Sequence, residues 1–174
     1  NGLVRRGHSV TLLASSILDS ILEDLEGVAV QDLGLGGSRF YLRELLALRR
    51  AIRRQAGDFD IVHPHNFPAE ISSYGAAVPA VWMCNEPARV RLNIARYRWY
   101  DPRLWVKQLL VAWSEAWVAS QMNAIVVADE FNQQRLRLLY GSDARVIPYG
   151  IDGSWFAQLP RELKYREGSP VQIL

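Results

Sequence analysis

Two short stretches hold the residue types that could do chemistry. His63-Pro64-His65-Asn66 follows the apolar pair Ile61-Val62. In an extended chain residues two apart face the same side, so His63 and His65 present their imidazoles in one direction, with the Asn66 amide beside them. Two imidazoles are only part of a metal-binding set, and no carboxylate converges on them, so no metal is expected. The second stretch, Asn85-Glu86-Pro87-Ala88-Arg89, follows Val81-Trp82-Met83-Cys84 and brings an amide, a carboxylate and a guanidinium together. An asparagine can donate a hydrogen bond to a hydroxyl but cannot titrate as a base. The chemistry it suits is positioning and charge stabilisation. The bland alternatives are a histidine that caps a turn at 63–66 and a turn-forming Asn-Glu-Pro loop at 85–87.

Gly34-Leu35-Gly36-Gly37 lies between a strand-like and a helix-like segment. A G-x-G-x-x-G dinucleotide fingerprint would need glycine at position 39, where Arg39 stands, so an ordinary turn is the simpler reading. A third feature is the crowding of basic and aromatic residues. Arg89, Arg91, Arg96, Arg98, Arg103 and Lys107 face a single acid, Asp101, and Tyr97, Trp99, Tyr100, Trp105, Trp113 and Trp117 lie in or just after them. The segment 40–56 adds Arg43, Arg49, Arg50, Arg53 and Arg54 beside Leu45, Leu48 and Ile52. Arginine with tryptophan and tyrosine suits peripheral contact with an anionic membrane. Nucleic acid is the rival partner for such a surface, but no nucleic-acid motif is present and the formal charge is only +2, so none is expected. The plainest alternative is a solvated helix face.

These residues need a scaffold, and hydrophobic spacing supplies one. Residues 9–14, 28–33, 59–63, 78–84 and 124–128 read as strands, with helical spacing over 17–25, 40–56, 69–76 and 104–122 between them. Residues 89–103 read as an irregular insertion. The 124–152 stretch is the clearest unit. Ile125, Val126, Val127 and Ala128 run without polar interruption, as in a parallel strand buried on both faces. Asp129 stands at an N-cap, Leu136, Leu139 and Tyr140 recur at helical spacing, and Gly141 sits where a helix end needs a left-handed residue. Arg145-Val146-Ile147-Pro148 then forms a short strand stopped by proline. Strands alternating with helices predict an α/β fold with a doubly wound, mostly parallel, Rossmann-like sheet.

A chain of 174 residues suits one such domain, and 49% apolar content allows a sizeable core. The single cysteine, Cys84, excludes an internal disulfide framework and favours a reducing, cytoplasmic compartment. No apolar run approaches the ~18 residues of a membrane-spanning helix. Leu3 to Gly7 reads as the last turn of a helix, and 169–174 as the opening of a strand, so the sequence is expected to be a fragment.

Tyr140-Gly141, Val146-Ile147-Pro148, Gly150, Asp152 and Phe156 together resemble the closing pattern of the first domain of group 1, or family 4, retaining glycosyltransferases. Asp129 stands where serine is usual there, and Tyr149 where asparagine is usual. The stretch Asp60-Ile61-Val62-His63-x-His65 and the loop Asn85-Glu86-Pro87-x-Arg89 resemble two further family segments in the family's order, with Asn85 where many relatives carry histidine. The resemblance implies the N-terminal half of a GT-B architecture. Residues 1–166 would be the acceptor-side domain, its first strand missing, and 167–174 the start of a nucleotide-sugar-binding domain. It further implies transfer of a sugar from a nucleotide donor to a glycan, lipid-linked or small-molecule acceptor, with retained configuration and no metal or other cofactor. Asn85 and Glu86 would be catalytic. His63, His65, Asn66 and Arg89 would bind the acceptor, and Tyr149, Gly150 and Asp152 would form the donor-side hinge. The protein would act in the cytoplasm, peripherally at the inner face of the membrane, with the fragment inactive alone. A non-catalytic Rossmann-like binding module and an epimerase-type nucleotide-sugar enzyme remain as alternatives.

Overall fold

A computed structural model describes residues 2–35, 41–87 and 102–150, apart from the side chains of Tyr41, Pro102, Arg103, Leu104, Trp105, Lys107 and Gln108. In chain order the elements are α1 (Gly2–Arg5), β1 (Thr11–Ala14), α2 (Asp19–Leu22) and β2 (Ala29–Asp32). Then come α3 (Tyr41–Gln55), α4 (Ala69–Ser73), β3 (Val81–Met83), α5 (Pro102–Ala119), β4 (Ala124–Val127), α6 (Glu130–Tyr140) and β5 (Arg145–Val146). Single turns of 3-10 helix follow α2 and α3.

The β4–α6–β5 unit forms as its residues dictate. The Asp129 side chain accepts a hydrogen bond from the Asn132 backbone N–H at 2.7 Å, so α6 starts on a satisfied N-cap. Gly141 ends the helix at φ +66, the left-handed conformation glycine adopts without a Cβ penalty, and its N–H reaches Arg137 O at 3.0 Å. Helix α6 lays Leu136 on the sheet, where it is fully buried with Trp82, Cys84, Ala119, Ile125, Val127 and Ala144. A fully buried leucine or valine contributes roughly 1.5–3 kcal/mol relative to exposure, so this cluster dominates the domain's stability. Pro102 opens α5 at the first helical position, where its missing N–H has no intrahelical role. That starts the helix slightly before the expected 104. The insertion expected over 89–103 otherwise lies outside the described residues.

Every strand pair is parallel: β1 with β2, and β3 with β4 with β5. The parallel α/β layout matches expectation, and no closed barrel forms among the described residues. Two details differ from it. First, the strand expected over 59–63 appears only as isolated parallel bridges, Val62 to Ala80 and His65 to Met83. Pro64 has no N–H to donate, so the edge keeps the bonds from Val62 N–H to Pro79 O, from Val81 N–H to Val62 O and from Met83 N–H to Pro64 O, each at 2.9 Å, and a longer one from Asn66 N–H to Met83 O at 3.4 Å. Second, the sheet is divided. Among the described residues strand β1 pairs only with β2 and the 61–65 segment only with β3, and a cleft of about 390 Å³ opens between them under Leu48, Ala51 and Ile52 of α3. As a result β1 and β2 carry no fully buried residue, and the core sits on the β3–β4–β5 side.

The N-cap yields a direct test. Asp129→Ala should lower the unfolding free energy by about 1 kcal/mol in a urea titration, whereas Asp129→Ser should retain most of it. Equal losses in both variants would mean that the cap bond is not what anchors α6.

Candidate functional site

Strands that run parallel deliver their following loops to one edge, and ligand sites of open α/β sheets form at that carboxyl edge. Three of the sequence-selected segments meet there. After Val62 comes His63-Pro64-His65-Asn66; after β3 comes Cys84-Asn85-Glu86; after β5 comes Ile147-Pro148-Tyr149-Gly150. Asn66 sits at φ 53, a left-handed conformation that asparagine tolerates better than most side-chain-bearing residues. In that conformation its Oδ1 accepts the Asn85 backbone N–H at 3.2 Å. The Tyr149 hydroxyl donates to Asn85 Oδ1. Side chains from the ends of the 61–65 segment and of β5 thus converge on Asn85 at the end of β3, whose carbonyl oxygen is occupied while its NH₂ group has donors to offer.

The two histidines lie together as the alternation requires. Their ring centroids are 4.6 Å apart, edge to face, and both line the cleft beside β1. His63 Nδ1 lies 2.6 Å from Val81 O, a contact that needs a proton on Nδ1. Burial, then the neighbouring His63, lowers the His65 pKa below its ordinary value, so His65 is neutral near pH 7. Among the described residues no group of three or more potential ligands surrounds a metal position. The peptide bond from Phe67 to Pro68 is cis, and α4 follows it.

Glu86 is exposed at the same edge. Gly150 is also exposed, and a Cβ built on it would meet nothing within 4 Å. Arg89 and Asp152, the remaining sequence-selected residues, lie outside the described residues, as do Gly36 and Gly37. The N–H groups at the beginning of the glycine-rich loop are already bonded. Gly34 N–H donates to Asp32 Oδ1 at 2.7 Å and Leu35 N–H to Ser15 O at 2.7 Å, so neither is available to a phosphate. Asp32 Oδ2 also accepts the Ile17 N–H at 3.1 Å, tying the loop after β1 to the end of β2. A second hollow, about 630 Å³, lies at the amino ends of β4 and β5, away from these side chains.

The family model described as Glycosyltransferase Family 4 matches residues 1–155. Comparison with curated proteins returns no match.

Sequence reasoning missed a set of polar groups buried directly behind the Asn85 loop. Glu70 of α4 is 0% exposed, and both its carboxyl oxygens lack a hydrogen-bond partner. Glu115 of α5 is 1% exposed and accepts the Tyr140 hydroxyl at 2.7 Å. Trp82 Nε1, also buried, has no partner. Burial pushes the Glu70 pKa up to about 8, its own backbone N–H, which falls short of hydrogen-bond geometry, opposes the rise, and the nearby Glu115 adds to it. Burial, with Glu115 and Glu70 next, holds the Cys84 thiol at about 12, so Cys84 is a packing residue and not a nucleophile. The only sequence signal was two glutamates inside otherwise apolar or small-residue helix faces. Because the folded pKa of Glu70 lies above its unfolded value, its protonated form stabilises the fold below about pH 4.5, and that contribution is lost as pH rises towards about 8. At roughly 1.4 kcal/mol per pH unit crossed, the loss is a few kcal/mol. Glu70→Gln should therefore raise the melting temperature at pH 8 well above wild type while changing it little at pH 4.5. Parallel melting-temperature profiles for the two proteins across that interval would show that Glu70 does not hold a proton in the fold.

Proposed function

The chain belongs to glycosyltransferase family 4, and from that premise we propose that it is the acceptor-side half of a retaining nucleotide-sugar glycosyltransferase. The observation that carries this reading is the meeting of Asn66, Asn85 and Tyr149 from three strand ends at one edge of a parallel sheet. In the proposed reaction the acceptor hydroxyl attacks the sugar's anomeric carbon on the face from which the diphosphate departs. The new C–O bond forms as the old one breaks, and the hydroxyl proton passes to the departing phosphate oxygen. Such a step asks the protein for orientation and charge stabilisation and needs no strong protein base. Asn85 suits that demand: with its carbonyl held by Tyr149, its NH₂ group is aimed as a donor towards a sugar hydroxyl. Glu86 would accept a hydrogen bond from the reacting hydroxyl, and Arg89 would bind the acceptor. His63, His65 and Asn66 would shape the acceptor side, and neutral His65 is suited to exchanging hydrogen bonds with hydroxyls. No metal or other cofactor enters the scheme.

We further assign residues 1–166 to the acceptor-side domain and 167–174 to the opening of a donor domain, with Tyr149, Gly150 and Asp152 at the hinge between them. The Tyr149 to Asn85 bond supports this assignment, since it would couple hinge position to the reacting loop. The single cysteine favours a reducing compartment, so the enzyme is assigned to the cytoplasm, acting on a lipid-linked, glycan or small-molecule acceptor.

The test uses the full-length protein with a panel of nucleoside diphosphate sugars, scoring release of nucleoside diphosphate and the anomeric configuration of the product by NMR. The expected product keeps the donor's configuration. Asn85→Ala should lower kcat by about 10- to 100-fold, the range of one transition-state hydrogen bond, and Tyr149→Phe by less. An inverted product, or Asn85→Ala turning over at the wild-type rate, would overturn the assignment. Failure of every donor to release nucleoside diphosphate would favour the non-catalytic module.

A further inference from the structure

Two stripes of exposed side chains run along neighbouring helices on one face of the domain, joined by a chain of ring contacts. On α3 the outward positions are Leu42, Leu46, Arg49 and Arg53, spaced by four, three and four residues as one helical face requires. On α5 the outward positions Val106, Leu110, Trp113 and Trp117 repeat the same spacing. Leu42 is 68% exposed, Leu110 61% and Trp113 67%. Tyr74, just after α4, bridges the stripes. Its ring lies 5.8 Å from the Arg49 guanidinium and 4.2 Å from the Trp117 ring, and Trp117 stacks on Trp113 at 6.5 Å with 6° between planes. Helix α4 packs against both α3 and α5, so the surface is continuous. By helical rise it extends about 15–20 Å along each helix, well beyond a scattered exposed leucine.

The charge of this surface is one-sided. Helix α3 carries Arg43, Arg49, Arg50, Arg53 and Arg54 against Glu44 alone. The acids of the two neighbouring helices, Glu70 and Glu115, are turned into the core and do not offset the arginines from outside. A surface that offers both an apolar stripe and unopposed cations fits a partner that is apolar within and anionic at its boundary. We propose that the α3–Tyr74–α5 face docks on an anionic lipid bilayer, with Trp113, Leu110 and Leu46 entering the headgroup–acyl boundary and Arg50 and Arg53 meeting the phosphates. Tryptophan, tyrosine and arginine are the side chains whose apolar bodies and polar ends match that depth. Among the described residues no helix is long and apolar enough to cross a membrane, so the contact is peripheral. A nucleic acid would use the arginines but would gain little from Val106, Leu110 and Leu42. This surface is separate from the strand-end site, and its test needs no sugar donor, so it stands or falls independently of the transferase reading.

The experiment is co-sedimentation of the purified protein with vesicles of phosphatidylcholine alone and of phosphatidylcholine with one-third phosphatidylglycerol. Binding is expected to the second kind only and should weaken as salt rises. The exposed pair Leu110→Ser with Trp113→Ser, and separately Arg50→Glu with Arg53→Glu, should each reduce binding about tenfold or more while circular dichroism and the melting temperature stay at wild-type values. Equal binding to both vesicle types, no binding to either, or unchanged binding by both double variants would overturn the proposal. So would an oligonucleotide that binds this face more tightly than the anionic vesicles, or self-association that the Leu110→Ser, Trp113→Ser pair abolishes in the absence of lipid pelleting.

Discussion

Strand β3 is the constraint on which the remaining geometry depends. It is three residues long, yet it is bonded on both edges, to β4 on one side and to the 62–65 segment on the other. Its Trp82 and Met83 are buried, as is Cys84 beyond its end, so it can neither slide nor tilt without exposing the core. A one-residue slip would turn those side chains to the opposite face. Because both neighbours run parallel to it, the loops that follow all three must emerge at one edge. That is why Asn66, Asn85 and, one strand further, Tyr149 reach each other although 64 residues separate the last two.

The same burial that holds β3 in place imposes a cost behind it. A carboxyl group placed out of water without a partner is destabilising unless it keeps its proton, and Glu70 does so. Glu115 is better provided for, through Tyr140 at the end of α6. Two acids, a tyrosine and the Trp82 ring, from α4, α5, α6 and β3, are therefore gathered behind the loop that carries Asn85, and the Tyr140 to Glu115 bond joins α6 to α5. Polar groups sequestered this way are rarely neutral in their effect, and here they also keep the acids of α4 and α5 off the outer face of these helices. The basic character of that face follows from where the acids are buried as much as from how many arginines the helices carry.

The structure is uneven across the cleft. On the β3–β4–β5 side helices cover the sheet, and Trp82, Cys84, Val127 and Leu136 are buried. On the β1–β2 side no strand residue is fully buried, and Leu12 and Val30 are each 37% exposed. Asp32 compensates locally by binding the backbone of both adjacent loops, which holds β1 and β2 together with hydrogen bonds more than with apolar contact.

Much of this was legible from residue order alone. The capped helix between β4 and β5, the glycine that ends it, the amphipathic α3 and the parallel α/β class follow from local rules: side-chain oxygens satisfy free N–H groups, glycine accepts positive φ, and apolar spacing selects a face. The pairing of His63 with His65 on one side follows likewise from alternation along an extended chain. The family segments were recognisable because they are short, contiguous and in order. Other features depended on contacts between residues distant in the chain. Pro64 reducing a strand to isolated bridges, the division of the sheet, Asn66 and Tyr149 closing on Asn85, and the burial of Glu70 beside Glu115 each require knowing which elements become neighbours. Local spacing determines what an element is; desolvation and hydrogen-bond partners are set by what packs against it, and only the tertiary structure decides that.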